Sequence, residues 1–195
     1  NANNVQTAFG SDTFSYDSSR PTINISSPSP SHTRGGPVDY TITYTGAGAV
    51  TLSGTDVTLN TTGTATGAID VSGIDPTRRV TISGISGNGT IGIAIAAGTA
   101  SDNAGNTALA ATSGIFTVDN TPPTIAVSAP NGGETLTVGV PYSITWTATD
   151  TGGSGLESLP ITIRFSEDGG TTWDYMVIGA TGNTGSYSWA PTFSN

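Results

Sequence analysis

The 195-residue chain contains no cysteine and no lysine, with a single histidine and a single methionine. Without cysteine no disulfide can staple the fold, and the redox compartment leaves no trace in the composition. Without lysine a Lys-to-Asn isopeptide cross-link is excluded, and a Thr-to-Gln ester would have only Gln6 to draw on. Charge is scarce as well: 10% of residues are charged, 14 acidic against five Arg, for a net charge of -9. That balance disfavours nucleic acid and anionic membrane as partners, since both are polyanions, and makes cations the natural counterpart. No apolar run approaches the roughly 20 residues of a membrane span, so direct membrane insertion by these residues is not expected, and any export signal would lie outside this stretch of sequence.

The groups that acid–base or nucleophilic chemistry needs are equally sparse. His32 sits in the Pro/Ser-rich stretch SPSPSHTRGG, which predicts a solvent-exposed loop residue rather than a general base. There is no cysteine nucleophile and no serine in a nucleophile elbow. Glu167 and Asp168 are neighbours in a turn, which does not set two carboxylates across a substrate. Catalysis is not expected of this chain.

What the chain has is repetition. Residues 1 to 28 lie without a gap on residues 103 to 130, an offset of 102 with 12 identities that include Asn1/Asn103, Phe14/Phe116, Asp17/Asp119, Pro21/Pro123 and Ile23/Ile125. A period near 100 in a chain with 34% hydrophobic residues predicts stacked modules, each with its own core.

The periodicity is that of strands. Val38, Tyr40, Ile42 and Tyr44 alternate with Asp39, Thr41, Thr43 and Thr45, placing the apolar set on one face. The same period continues in Val80 and Ile82, and in Ile91, Ile93 and Ile95. After residue 123 it returns as Ile144, Trp146 and Ala148, as Ile161, Ile163 and Phe165, and as Tyr187 and Trp189. Gly-containing turns separate the runs and helix signals are absent, which predicts an all-β chain of sandwiches with one wet face per strand. The Pro-bearing stretches Asp17 to Pro21 and Asp119 to Pro123 read as stiff, extended linkers. Residues 1–20 are then expected to be the last strand of a preceding module plus linker, 21–120 a complete sandwich, and 121–195 a second one lacking its final strand or strands.

Two resemblances follow from specific motifs. VTISGISGNGTIGIAIAAGTASDNAGN, followed by FTVDNTPPTI, resembles the bacterial immunoglobulin-like repeats of large surface adhesins. PNGGETLTVGVPYSITWTATD, with IRFSEDGGTTW and GSYSWAP, is similar to the immunoglobulin- or fibronectin-III-like domain of Ser/Thr-rich cell-wall proteins. Together they cover nearly the whole chain. They imply tandem immunoglobulin-like β-sandwiches at an extracellular or cell-surface location, without enzymatic activity in the modules themselves.

In that topology the linker lies beside the loops of the module it leads into. Asp17 is thereby expected near Asp102, Asn103 and Asn106, and Asp119 with Asn120 near Asp150 and Glu157. Carboxylates and amide oxygens converging without a cation suit Ca2+, which takes 6–8 oxygen ligands. The alternative is that Asp17 and Asp119 cap turns and that Asp102 and Asn103 close an Asx turn. Ser166 to Trp173, SEDGGTTW, matches the Asp-box hairpin, in which the Asp bonds turn amides and the Trp packs beneath. Trp146 and Trp189 are expected in the core, Tyr142 and Tyr175 nearer loops, and Arg78 and Arg79 at a solvated strand start. Asn24, Asn60 and Asn88 match the Asn-x-Ser/Thr acceptor pattern.

The resulting expectation is a non-catalytic stalk or spacer whose partners are neighbouring modules or subunits, with a surface glycan or protein as further ligand. A filament subunit joined by strand donation and a carbohydrate-binding accessory module of a secreted hydrolase are the alternatives.

Overall fold

The computed structural model describes residues 15–173 and 175–191. Most of the strand expected within residues 1–20 lies outside the described residues. What is described is all β: strands joined by turns, with a single 3-10 turn at Gly54–Asp56 among the described residues. No helix among them is long and apolar enough to cross a membrane.

The first module contains β1 (Thr22–Ile25), β2 (His32–Thr33), β3 (Val38–Thr45), β4 (Ala49–Val50), β5 (Val57–Thr61), β6 (Thr66–Ile74), β7 (Thr77–Ser86), β8 (Gly89–Ile95), β9 (Ala100–Ser101), β10 (Ala111–Thr112) and β11 (Phe116–Val118). One sheet runs β1-β3-β7-β6, antiparallel throughout. In the facing sheet β8 lies between β5 and the successive pieces β10 and β11, and β2 closes the edge parallel to β11. The short pair β4 and β9 ties the two ends of the module's loops together.

The strict alternation of β3 explains the packing. Val38, Tyr40 and Ile42 are fully buried, and Tyr44 nearly so, while Thr41, Thr43 and Thr45 face solvent. They meet Val80 and Ile82 of β7, Ile91, Ile93 and Ile95 of β8, and Phe116 and Val118 of β11 in one apolar cluster. Each such side chain contributes roughly 1.5–3 kcal/mol by leaving water. The two core tyrosines keep their hydroxyls satisfied. Tyr40 donates to the Gly114 carbonyl at 3.0 Å, and Tyr44 shares a 2.8 Å bond with Thr99 Oγ1. Burial pushes both phenols above their ordinary pKa.

The second module contains β12 (Thr124–Ala129), β13 (Tyr142–Thr149), β14 (Ile161–Phe165), β15 (Tyr175–Thr181) and β16 (Ser186–Trp189), arranged as β12-β13-β16 over β14-β15. Its core is Ile144, Trp146 and Ile161, with Ala148, Ile163, Tyr187 and Trp189 packed around them. Trp146 donates from Nε1 to Asn183 Oδ1 at 3.0 Å.

The two modules open in the same way. Thr22 pairs with Thr45 and Ile23 with Tyr44; Thr124 pairs with Thr149 and Ile125 with Ala148. Both modules thus open with an antiparallel hairpin, but the partners of β12 lie two residues further along the chain than the repeat would place them, and β12 carries a bulge between Val127 and Ala129. The burial differs: Ile23 and Ile25 pack on the first core, whereas Ile125 and Val127 are 63% and 54% exposed. The facing layer explains this, since among the described residues β14 and β15 alone stand opposite the β12-β13-β16 sheet.

Two expectations need correction, those for Arg78 and His32. Arg78 is not solvated: it pairs with Asp75 at 2.6 Å and donates to the Gly73 and Val50 carbonyls, stapling the β6–β7 hairpin end to β4. Arg79 faces solvent but is paired with Asp39, whose carboxyl it holds below its ordinary pKa. His32 is exposed but belongs to a strand, because Thr117 of β11 offers it a parallel partner.

Candidate functional site

The residues singled out by the repeat gather at the two linkers. At the first, the Asp17 carboxylate accepts the Ser19 N–H at 2.8 Å, an Asx turn that fixes the chain two residues ahead. The Asp17 carbonyl accepts from Asn106 Nδ2 at 3.0 Å, and Arg20 donates to the Thr107 carbonyl at 3.0 Å. The linker is thus laid along the 102–107 loop of its own module, as the topology argument expects.

Asp102 organises that loop. Its Oδ1 accepts the N–H groups of Ala104 and Asn106 at 2.9 and 2.8 Å, and its Oδ2 accepts Asn106 Nδ2 at 2.9 Å. The Asn106 side chain and these amides hold the Asp102 carboxyl below its ordinary pKa. Asn103 lies against Gly48, where a Cβ would strike its Oδ1. Gly48 is in turn bonded through its N–H to the Ser101 carbonyl at 2.8 Å.

At the second linker, β11 ends in Asp119, only 7% exposed. Its N–H donates to the Thr33 carbonyl at 3.0 Å, anchoring it to β2. Its Oδ1 accepts the Thr121 N–H at 2.9 Å, the same i to i+2 bond that Asp17 makes with Ser19. Its Oδ2 crosses to the second module, accepting the Ser154 N–H at 2.9 Å and the Ser154 hydroxyl. These bonds, the Ser154 hydroxyl foremost, hold the Asp119 carboxyl below its ordinary pKa. The close approach requires a glycine opposite: a Cβ at Gly152 would fall on Asp119 Oδ1.

Asn120 turns the other way. Its N–H donates to Asn88 Oδ1 at 2.6 Å and its Nδ2 to the Gly87 carbonyl at 2.7 Å, both on the β7–β8 turn of the first module. Adjacent linker residues therefore grip opposite modules.

No protein-family model, curated protein or solved structure matches this chain. The reading of the junction accordingly stands on its geometry.

Asp150 accepts the Gly152 N–H at 3.1 Å and lies 3.5 Å from the Ser154 hydroxyl, so it shapes the loop that receives Asp119. Glu157 stands on the wall of a cleft of about 820 Å³ beside the linker, with Asp150 and Leu156, opposite His32 and Arg34. Among the described residues, no three His, Asp or Glu side chains come together as a metal cage. The carboxylates of Asp17, Asp102 and Asp119 accept protein N–H groups, as residues that cap turns do. Ser154, Gly152 and Asn88 were not singled out as junction residues by the sequence. Ser18 stands at the repeat position of Asn120, so the repeat carries no trace of that contact.

The Asp-box hairpin lies apart from this site. Asp168 accepts the Thr172 N–H and hydroxyl and the Ser166 hydroxyl, which lowers its pKa to about 2. Trp173 differs from expectation: it is half exposed, and its Nε1 donates to the Gly170 carbonyl of its own turn at 3.1 Å. Of the two tyrosines expected nearer loops, Tyr142 is half buried and the Tyr175 side chain lies outside the described residues.

Proposed function

We propose that this chain is a non-catalytic spacer: tandem immunoglobulin-like modules whose junction holds them at a set angle, as a stalk at a cell surface requires. The observation that carries the reading is Asp119. It is buried at the end of the first module and bonded through one carboxylate oxygen to Ser154 of the second. A carboxylate in this setting accepts strong, charge-assisted bonds, so bending the modules apart would strip its Oδ2 of both Ser154 donors and leave only the Thr121 N–H on Oδ1.

The strand order supports the immunoglobulin-like part. With β1, β3, β5, β6, β7, β8 and β11 as successive strands A, B, C, D, E, F and G, the sheets read A-B-E-D and C-F-G. The antiparallel pairing of each module's first strand with the next long strand, β1 with β3 and β12 with β13, supports tandem repetition. Extracellular placement rests on the motif resemblance and on a surface rich in Thr, Ser and Asn with little charge. The linker carboxylates are engaged by protein donors, and Ca2+ at the junctions would add to this stiffness.

Small-angle scattering of the whole chain tests the proposal. A spacer gives one interdomain distance that persists from low to high salt; a broad, salt-dependent distribution would rule it out. A second reading, assembly by strand addition, is favoured by the exposed Ile125 and Val127 on the inward face of the β12-β13-β16 sheet. It predicts concentration-dependent oligomers, and a monomer at all concentrations removes it.

A further inference from the structure

The chain holds two Asn–Gly dipeptides, Asn88–Gly89 and Asn131–Gly132, and the fold treats them in opposite ways. An asparagine followed by glycine is prone to self-modification, because glycine leaves its backbone nitrogen unshielded and the backbone free to rotate. The deprotonated nitrogen of the glycine attacks the asparagine Cγ and forms an N–C bond. A proton from water reaches the amide nitrogen, the Cγ–Nδ2 bond breaks and ammonia departs, leaving a five-membered succinimide. Water then opens that ring at one of its two carbonyls, giving aspartate or isoaspartate. No oxidant or cofactor is involved.

We propose that Asn131 is the site of spontaneous deamidation in this protein, and that Glu134 is the brake upon it. At Asn88 the reaction is blocked by structure. The Asn88 Oδ1 is held by the Asn120 N–H, and Gly89 begins β8, paired with Val118. The peptide there also runs against the backbone of Thr62, where a Cβ on Gly89 would collide. The asparagine side chain cannot swing onto the Gly89 nitrogen without opening the hairpin.

Asn131 stands in the exposed loop between β12 and β13. Gly132 and Gly133 have φ of 123° and 87°, with open space around both. The Asn131 side-chain amide makes no hydrogen bond among the described residues, so it is free to turn toward the Gly132 nitrogen. One group opposes the attack. The Glu134 carboxylate accepts the Asn131 N–H at 2.9 Å and the Gly132 N–H at 2.8 Å. A hydrogen bond from the amide to a carboxylate stabilises the protonated nitrogen, and the adjacent negative charge disfavours the anion that must form. While Glu134 is in place the nucleophile is withheld; when the loop opens it is released.

The product matters to the second module. A neutral amide becomes a carboxylate facing Glu134, and the isoaspartate route adds a methylene to the backbone just past β12. The clamp that closes the loop is then lost.

The test is to hold the whole chain at mildly alkaline pH and follow each dipeptide by peptide mass spectrometry and enzymatic isoaspartate methylation. In the folded chain Asn131 converts and Asn88 does not. Glu134→Ala accelerates conversion about three- to tenfold, the range one exposed, charged hydrogen-bond acceptor supplies, and Glu134→Gln accelerates it less. In denaturant, Asn88 and Asn131 react alike and the Glu134 variants lose their effect, which separates the fold from the local sequence. Conversion of Asn88 ahead of Asn131 in the folded chain overturns the proposal, as does a Glu134→Ala rate equal to or below that of the parent.

Discussion

Replacing Gly152 with alanine strikes the junction without touching either core. The backbone at Gly152 is not in the left-handed region, so alanine is tolerated there by conformation alone. Its methyl would instead fall on the Asp119 carboxylate, far inside the 3.4 Å at which ordinary contact begins. To restore contact the carboxylate must retreat by at least about 1 Å, roughly the margin between a good hydrogen bond and none. The Ser154 N–H bond, now 2.9 Å, is then broken together with the hydroxyl bond beside it. The assay exploits the absence of native cysteine: spin labels at Ser72→Cys and Thr147→Cys, one exposed site on each module, report the interdomain distance distribution. Gly152→Ala broadens that distribution, while the first module's unfolding free energy stays within about 0.5 kcal/mol of the parent. Asp119→Ala broadens it equally, and the double variant no further, because both remove one interaction. A Gly152→Ala distribution that coincides with the parent's refutes the latch.

Other perturbations separate the remaining parts of the account. Tyr40→Phe removes the donor to the Gly114 carbonyl and destabilises the chain by about 1 kcal/mol in urea unfolding; no measurable change contradicts the assigned bond. Asp168 is lowered in the folded hairpin to about 2, below its unfolded value of about 3.9. Its stabilisation is therefore full above pH 4 or so and fades as pH falls toward 2, which the Thr172 amide shift in an NMR titration follows. Loss of that shift near pH 4 would show the hydrogen bonds to be absent. Chelation with EDTA leaves the melting temperature unchanged if protein donors alone satisfy the linker carboxylates; a calcium-dependent rise would restore the oxygen-cage alternative.

Local periodicity carried most of the fold. The alternation of Val38, Tyr40, Ile42 and Tyr44 predicts the buried face that β3 presents, and the Asp-box spacing predicts the bonds of Asp168. The offset of 102 led to the linkers, and both linker aspartates make the same Asx bond. Ser154, Asn88 and Gly152 were invisible because their roles arise from contacts over 30 residues or more, and small polar residues look alike in a chain full of them. Arg78 was misplaced because a charged residue near a strand end reads as solvated. The hairpin end instead supplies Asp75 and two carbonyls that its guanidinium can reach.

The central claim is that the junction fixes one module against the other, and alignment of the unmodified chain in a weakly ordering medium measures this directly. Residual dipolar couplings of the strands flanking Asp119 and those flanking Ser154 are expected to fit a single alignment tensor, with both modules sharing one tumbling time. Two unequal tensors and separate tumbling times would contradict the account.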